Sequence, residues 1–173
     1  MTTQAPPSDD ELVAAARRLG RRLVERGWQM AAAESCTGGM VGHVITQVPK
    51  SSDHFLGGIV SYADAVKESL LGVSPELLDQ VGAVSAEVAE AMTSGVLERF
   101  PVADLAVAVT GIAGPDGGSE AKPVGLTYVA AAVRDGPATV ERHIWPHDRD
   151  GNKRASVLAV LGLASRLAGM ADR

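Results

Sequence analysis

Residues 105–109, Leu-Ala-Val-Ala-Val, present no polar side chain to either face of a strand. Such a strand cannot leave one face in water and must be covered on both sides, as in the core of an α/β sheet. The flanking sequence supplies the cover. Ser8, followed by Asp9, Asp10 and Glu11, reads as a helix start, a capping hydroxyl and then acids at the positive end of the helix dipole. Leu12, Ala16, Leu19, Leu23 and Val24 recur at helical spacing up to Gly27. Residues 28–33 then read as a buried strand, 38–48 as a helix stopped by Pro49, and 58–62 as a short strand. A helix over 63–71 is closed by Gly72, Ser74-Pro75 opens a short one, and Ser85 caps a longer one with Val88, Ala89, Met92, Val96 and Leu97 on one face. Beyond the apolar strand, residues 124–133 and 138–145 form a hairpin around Arg134-Asp135-Gly136-Pro137, and a last helix runs from about Arg149 to Leu167. Alternating helices and strands followed by a hairpin predict a single α/β domain with a mixed sheet and helices on both faces.

The chain has 173 residues, which suits one domain over residues 9–173 behind a flexible, Pro-containing tail at 1–8. No apolar run approaches the roughly 18 residues of a membrane span, so no membrane partner is expected. The N-terminus has neither the basic nor the apolar region of a secretion signal, and the single cysteine cannot form an internal disulfide; a cytoplasmic location follows as the expectation. A formal charge of −5 with dispersed Lys and Arg, and only 3% aromatics, argue against nucleic acid as a partner. Neither GxGxxG nor a P-loop occurs, so no cofactor is expected. Of His43, His54, His143 and His147, only the last two stand four apart, and Pro146 between them opposes a helical metal pair; no metal is expected.

The chemistry concentrates in residues 31–42, AAAESCTGGMVG, at a strand-to-helix turn. Free N–H groups of the helix's first turn there favour negative charge, either a phosphate or a developing oxyanion. Ser35 and Cys36 are the two candidate nucleophiles; the plainer alternative is that Ser35 or Thr37 only caps the helix and Gly38 and Gly39 only relieve crowding. Tyr62 ends the next strand and Lys67 lies early in the helix after it. Strand ends on one edge of an α/β sheet converge on a crevice, so Ser35, Tyr62 and Lys67 are candidates for one site. Serine needs a base to take its proton, and a lysine serves only when neutral. Cys36 lacks a histidine partner locatable by motif and is the weaker candidate. The glycine-rich loop Thr110-Gly111-Ile112-Ala113-Gly114, after the most apolar strand, lets the backbone approach a ligand. Arg149, Lys153 and Arg154 begin the last helix, where cations oppose the dipole, and an anionic ligand is one reason for them.

The blocks AESCTGG (33–39), VPKSSDHFLGGIVSYADAVKESLLGV (48–73), GAVS (82–85), VTGIAGPDGG (109–118) and KPVG (122–125) resemble, in order, the C-terminal domain of competence-damage-inducible protein A (CinA), whose members include nicotinamide-nucleotide amidases. The resemblance covers nearly the whole chain after residue 10. It implies a three-layer α/β/α fold with a mixed sheet and hydrolysis of nicotinamide mononucleotide to nicotinate mononucleotide and ammonia, without a metal. It implies that Ser35 attacks the carboxamide carbon while Lys67 and Tyr62 carry its proton, in an order left open, and that the backbone after Ser35, at Cys36, Thr37, Gly38 and Gly39, holds the oxyanion. The 110–118 loop, including Thr110, Gly111, Ile112, Ala113 and Gly114, and Arg149 would hold ribose and phosphate of this small-molecule substrate. Two departures stand out: Lys50 where the family usually has glycine, and Ala63-Asp64 where it commonly has Ser-Asn. A carboxylate at Asp64 would favour a protonated Lys67, the wrong direction for a base. The additional N-terminal nucleotide-hydrolysing domain of some members is not part of this sequence, and its activity is not expected here. The alternatives are a non-catalytic nucleotide-binding domain and an amidase for another small amide. A Val- and Ala-rich sheet edge suggests a homo-oligomer.

Overall fold

The apolar run becomes β3 (Leu105–Gly111), the middle strand of five. In this computed structural model, residues 5–170 are described; residues 1–4, half of the expected tail, and 171–173 lie outside the described residues. The sheet order is β2 (Phe55–Val60), β1 (Met30–Glu34), β3, β4 (Leu126–Val133) and β5 (Ala138–Ile144). β1 pairs in parallel with both β2 and β3, whereas β3–β4 and β4–β5 are antiparallel. The sheet is therefore mixed, and its helices make two outer layers.

The period of two along the strands sorts side chains by size. Met30, Leu105, Val107, Val109 and Val129 face a core shared with α1 (Asp9–Arg26), α2 (Met40–Thr46) and α6 (Arg149–Met170). Ala31, Ala33, Ala106, Ala108 and Ala130 face the other core, with α5 (Ala86–Arg99) and residues of α3 (Asp64–Leu71) and α4 (Pro75–Val81). Alanine on that face lets α5 approach closely. α5 in turn meets the end of α3 at Gly95, where a Cβ would sit 2.1 Å from the Leu71 carbonyl oxygen.

Local signals set most boundaries. Ser8 and Glu11 form a capping box on α1, Gly27 and Gly72 close α1 and α3 in the left-handed conformation, and Ser74 and Ser85 cap α4 and α5. Four expectations shift. The lead-in at Trp28 and Gln29 precedes the strand: Arg26 lies 4.8 Å over the Trp28 ring, the Trp28 amide donates to the Leu23 carbonyl, and Gln29 donates to the Asp104 carboxylate and accepts from the Asp104 and Leu105 amides. β2 begins at Phe55 and stops at Val60, because Gly57 and Gly58 hide its alternation in the sequence. The helix expected over 38–48 is only Met40–Thr46, since Gly38 and Gly39 take positive φ values of 61° and 97°. Val24, expected on the buried stripe of α1, faces solvent.

β1 is followed by a crossover to one side, β2, and the chain then returns past it to β3 on the other. The ends of β1 and β3 thus flank a topological switch point, where ligands bind in such sheets. Lys50, which precedes a short 3-10 turn at Ser51–Asp53, sits at φ 65° and ψ 20°. A non-glycine residue in that region is disfavoured by roughly 1–2 kcal/mol, and glycine's extra chain entropy returns about 0.5–1 of it. Lys50→Gly is therefore expected to stabilise the fold by up to about 1 kcal/mol, read as a rise in Tm of roughly 2–4 °C for a domain of this size; a lower Tm would show that the lysine side chain compensates the backbone.

Candidate active site

The turn after β1 is organised by an acid buried at its entrance. Glu34 is the last residue of β1, and its carboxylate accepts hydrogen bonds from the amides of Gly39 (3.0 Å), Val41 (3.0 Å) and Gly42 (2.9 Å). A carboxylate at a helix start is stabilised by these donors and by the helix dipole. This corrects the expectation that the first-turn donors of α2 are free for an oxyanion: three of them are occupied from within. The Gly38 amide donates to the Ser35 carbonyl (3.0 Å). The Cys36 and Thr37 amides donate to no other residue among those described; of the two, only Cys36 lines the cleft beside Ser35 and remains for an anion.

Ser35 is held from both sides. Its amide donates to the Val109 carbonyl of β3 (2.9 Å), and the Ser61 amide donates to the Glu34 carbonyl (2.8 Å), drawing the ends of β1, β2 and β3 together. The Ser35 hydroxyl makes no hydrogen bond among the described residues and opens onto a cleft of about 270 Å³. Cys36, Tyr62, Lys67, Thr110, Gly111, Ile112, Ala113, Gly114 and Arg149 line the same cleft. Thr37, Gly38 and Gly39 do not. Thr37 is fully buried with its hydroxyl unpartnered among the described residues, and the two glycines serve the turn through their positive φ.

Within the cleft the three polar candidates differ sharply in environment. Lys67 is 1% exposed, and its Nζ donates to the Tyr62 carbonyl (3.3 Å) and to Asp64 Oδ1 (3.2 Å). Tyr62 lies two residues beyond β2 and is 60% exposed, so the sequence expectation that it ends the strand is corrected. Its phenol accepts from Arg149 (3.2 Å) instead of meeting Lys67. Cys36 is buried, and burial pushes its thiol up to about 12, which keeps it protonated near neutrality.

The far wall is fastened by α6. Arg149 donates to the Gly114 carbonyl (2.6 Å) as well as to Tyr62, joining the two lips of the cleft. Asn152, which sequence reasoning missed, is buried; its amide donates to the Ala113 carbonyl (3.0 Å) and its oxygen accepts from the His147 backbone (3.1 Å). Thr110 donates to the Ala83 carbonyl (2.8 Å), which attaches the GAVS segment to the site. Arg154, grouped in sequence with Arg149 and Lys153 as an anion site, instead pairs with Asp9 and Asp150. Glu34 was also missed; the available signal was an acid closing an alanine strand just before Gly-Gly.

The model of the CinA C-terminal domain family matches residues 13–168. The chain is 49% identical to a protein of Symbiobacterium thermophilum named for competence-damage inducibility, over 95% of this chain and 40% of that protein. It is 50% identical to a CinA-like protein of Synechococcus sp., over 76% of this chain and 31% of that one. The chain thus spans less than half the length of these relatives. Among solved structures, the competence/damage inducible protein CihA of Agrobacterium tumefaciens superposes with a TM-score of 0.87 at 36% identity, covering 95% of this chain and 98% of that one.

Replacing Glu34 by Gln presents a donor where the amides need an acceptor. With hydrogen bonds to charged groups contributing about 1.5–3 kcal/mol each, Glu34→Gln is expected to destabilise the fold by about 2–4 kcal/mol in urea denaturation. An unchanged midpoint would mean that the turn holds its shape without the carboxylate.

Proposed function

We propose that this chain, which belongs to the CinA C-terminal domain family, is a serine amidase that hydrolyses nicotinamide mononucleotide to nicotinate mononucleotide and ammonia. The observation that carries the reading is the Ser35 hydroxyl, without a hydrogen bond among the described residues, on a cleft that it shares with buried Lys67. In this reading Ser35 Oγ attacks the carboxamide carbon, the new C–O bond forms, and the proton passes through Lys67 to the departing nitrogen as the C–N bond breaks. Water then cleaves the acyl ester and regenerates Ser35. The Cys36 amide, beside Ser35 on the cleft wall, would receive the oxyanion, a donor worth a few kcal/mol of barrier in such sites. Arg149 and the loop from Thr110 to Gly114 would hold the nucleotide's ribose and phosphate, and Tyr62 at the rim would share in proton transfer or cover the bound ring.

The decisive measurement is ammonia release from nicotinamide mononucleotide by the purified chain. Ser35→Ala is expected to reduce it by at least about 10³-fold with the fold unchanged by circular dichroism. Cys36→Ala is expected to stay within a few fold of wild type. Undiminished release by the serine variant would sink the mechanism, and binding of the mononucleotide without turnover by the wild type would make the cleft a nucleotide-binding site instead.

Lys67 accepts a proton only as a neutral amine, and Asp64 is the charge beside it. Asp64→Asn keeps an acceptor oxygen and removes the charge. Its kcat at neutral pH is expected to rise by up to about fivefold, the scale of a partly exposed ion pair; a fall would show that the pair positions the amine rather than restraining it.

A further inference from the structure

On the opposite end of the first two strands, a stripe of α1 made by Arg17, Gly20, Arg21 and Val24 faces residues 48–54 across a cleft of about 630 Å³. It shares no residue with the cleft that contains Ser35. Arg17, Arg21 and Lys50 line it, and none of the three makes an ion pair or hydrogen bond among the described residues. Two carboxylates, Glu25 and Asp53, also line it, which leaves the wall net positive, three against two, in a chain of formal charge −5. Arg17 and Arg21 stand one helical turn apart, where like charges repel unless something lies between them. Lys50 reaches the cleft from a backbone at φ 65°.

The back of the cleft holds a polar group that the fold leaves unmatched. His54 is 4% exposed, and its Nδ1 has no partner among the described residues. α1 is shaped to admit the ring: a Cβ on Gly20 would sit 2.8 Å from the imidazole Cε1 and Nε2. Burial lowers the imidazole's pKa, against the opposing charge of Asp53, so the neutral ring offers one donor and one acceptor.

We propose that this cleft binds a small phosphate monoester. Two guanidinium forks and an ammonium suit a tetrahedral dianion. A bare phosphate would leave most of the volume empty, and Val24, Val48 and Pro49 supply an apolar floor for the organic part, with His54 within the same walls as its polar partner. The His54 carbonyl accepts from the Met30 amide (2.8 Å), so an occupant sits at the start of the two strands whose other ends carry Ser35 and lead to Tyr62.

The test is an NMR titration of ¹⁵N-labelled protein with adenosine 5′-monophosphate as the probe monoester and adenosine as the unphosphorylated control. Saturable shifts at the Gly20, Asp53 and His54 amides are expected with the monophosphate and not with adenosine. Arg17→Ala with Arg21→Ala should weaken binding by about tenfold or more, the scale of a lost charge-assisted hydrogen bond. Lys50→Gly should weaken it severalfold, and because glycine suits that backbone, a loss there is not a loss of folding. Shifts confined to residues 35–37 and 110–114, equal binding of adenosine, or unchanged affinity in the arginine variants would overturn the proposal.

Discussion

The Glu34 carboxylate is the contact on which the rest of the site depends. Its two oxygens gather three amides from residues 39–42, and its own carbonyl receives the Ser61 amide. The next residue's amide reaches across to Val109. One dipeptide thus fixes the start of α2, the exit of β2 and the end of β3. A buried carboxylate is tolerable only when donors surround it, and here the donors are backbone groups that would otherwise be orphans of a helix N-terminus. The same bonds that make the acid affordable therefore define the turn that sets Ser35 at the cleft wall.

The layered core explains why the elements can converge so closely. On one face of the sheet, Met30, Leu105, Val107 and Val109 fill the space beneath α1 and α6. On the other, a field of alanines brings α5 down onto the strands, and α3 packs against α5. Lys67, on the first turns of α3, lies inside the molecule, its amine held by the Tyr62 carbonyl and Asp64. A lysine on a short helix is ordinarily solvated; here it is buried at the wall of the cleft instead.

Much of this was legible because it is local. Capping residues such as Ser8, Ser74 and Ser85 act within one turn, and the apolar β3 has only one environment that suits it. That Ser35, Tyr62 and Lys67 share one cleft was expected because strand ends on one edge of such a sheet converge, although Tyr62 lies two residues past its strand. What escaped the sequence were contacts between distant residues. Arg149 meets Tyr62 across 87 positions, and Arg154 meets Asp9 across 145, so one cation of an apparent cluster faces the cleft and its neighbour closes an ion pair. Asn152 reads as an unremarkable polar residue until the fold lays Ala113 against it. Glu34 looked like the polar end of a strand, because the amides it serves belong to a helix that begins only after two glycines in left-handed geometry.

The choice between the adjacent nucleophiles rests on protonation, since Ser35 and Cys36 are almost equally buried, at 8% and 7% exposed. A thiol reacts as its thiolate. With the Cys36 thiol pushed up to about 12, forming the thiolate at neutral pH costs roughly 7 kcal/mol at about 1.36 kcal/mol per unit. A serine never depends on a standing anion; its proton leaves during attack, to a base already in place. The buried turn therefore disables the residue that needs a charged ground state and spares the one that does not. Lys153 and Lys67 favour the thiolate, but burial of Cys36 in the cluster with Val41, Val44 and Ala113 outweighs them. Lys67 lines the cleft that Ser35 also lines, its amine held by Asp64 and the Tyr62 carbonyl.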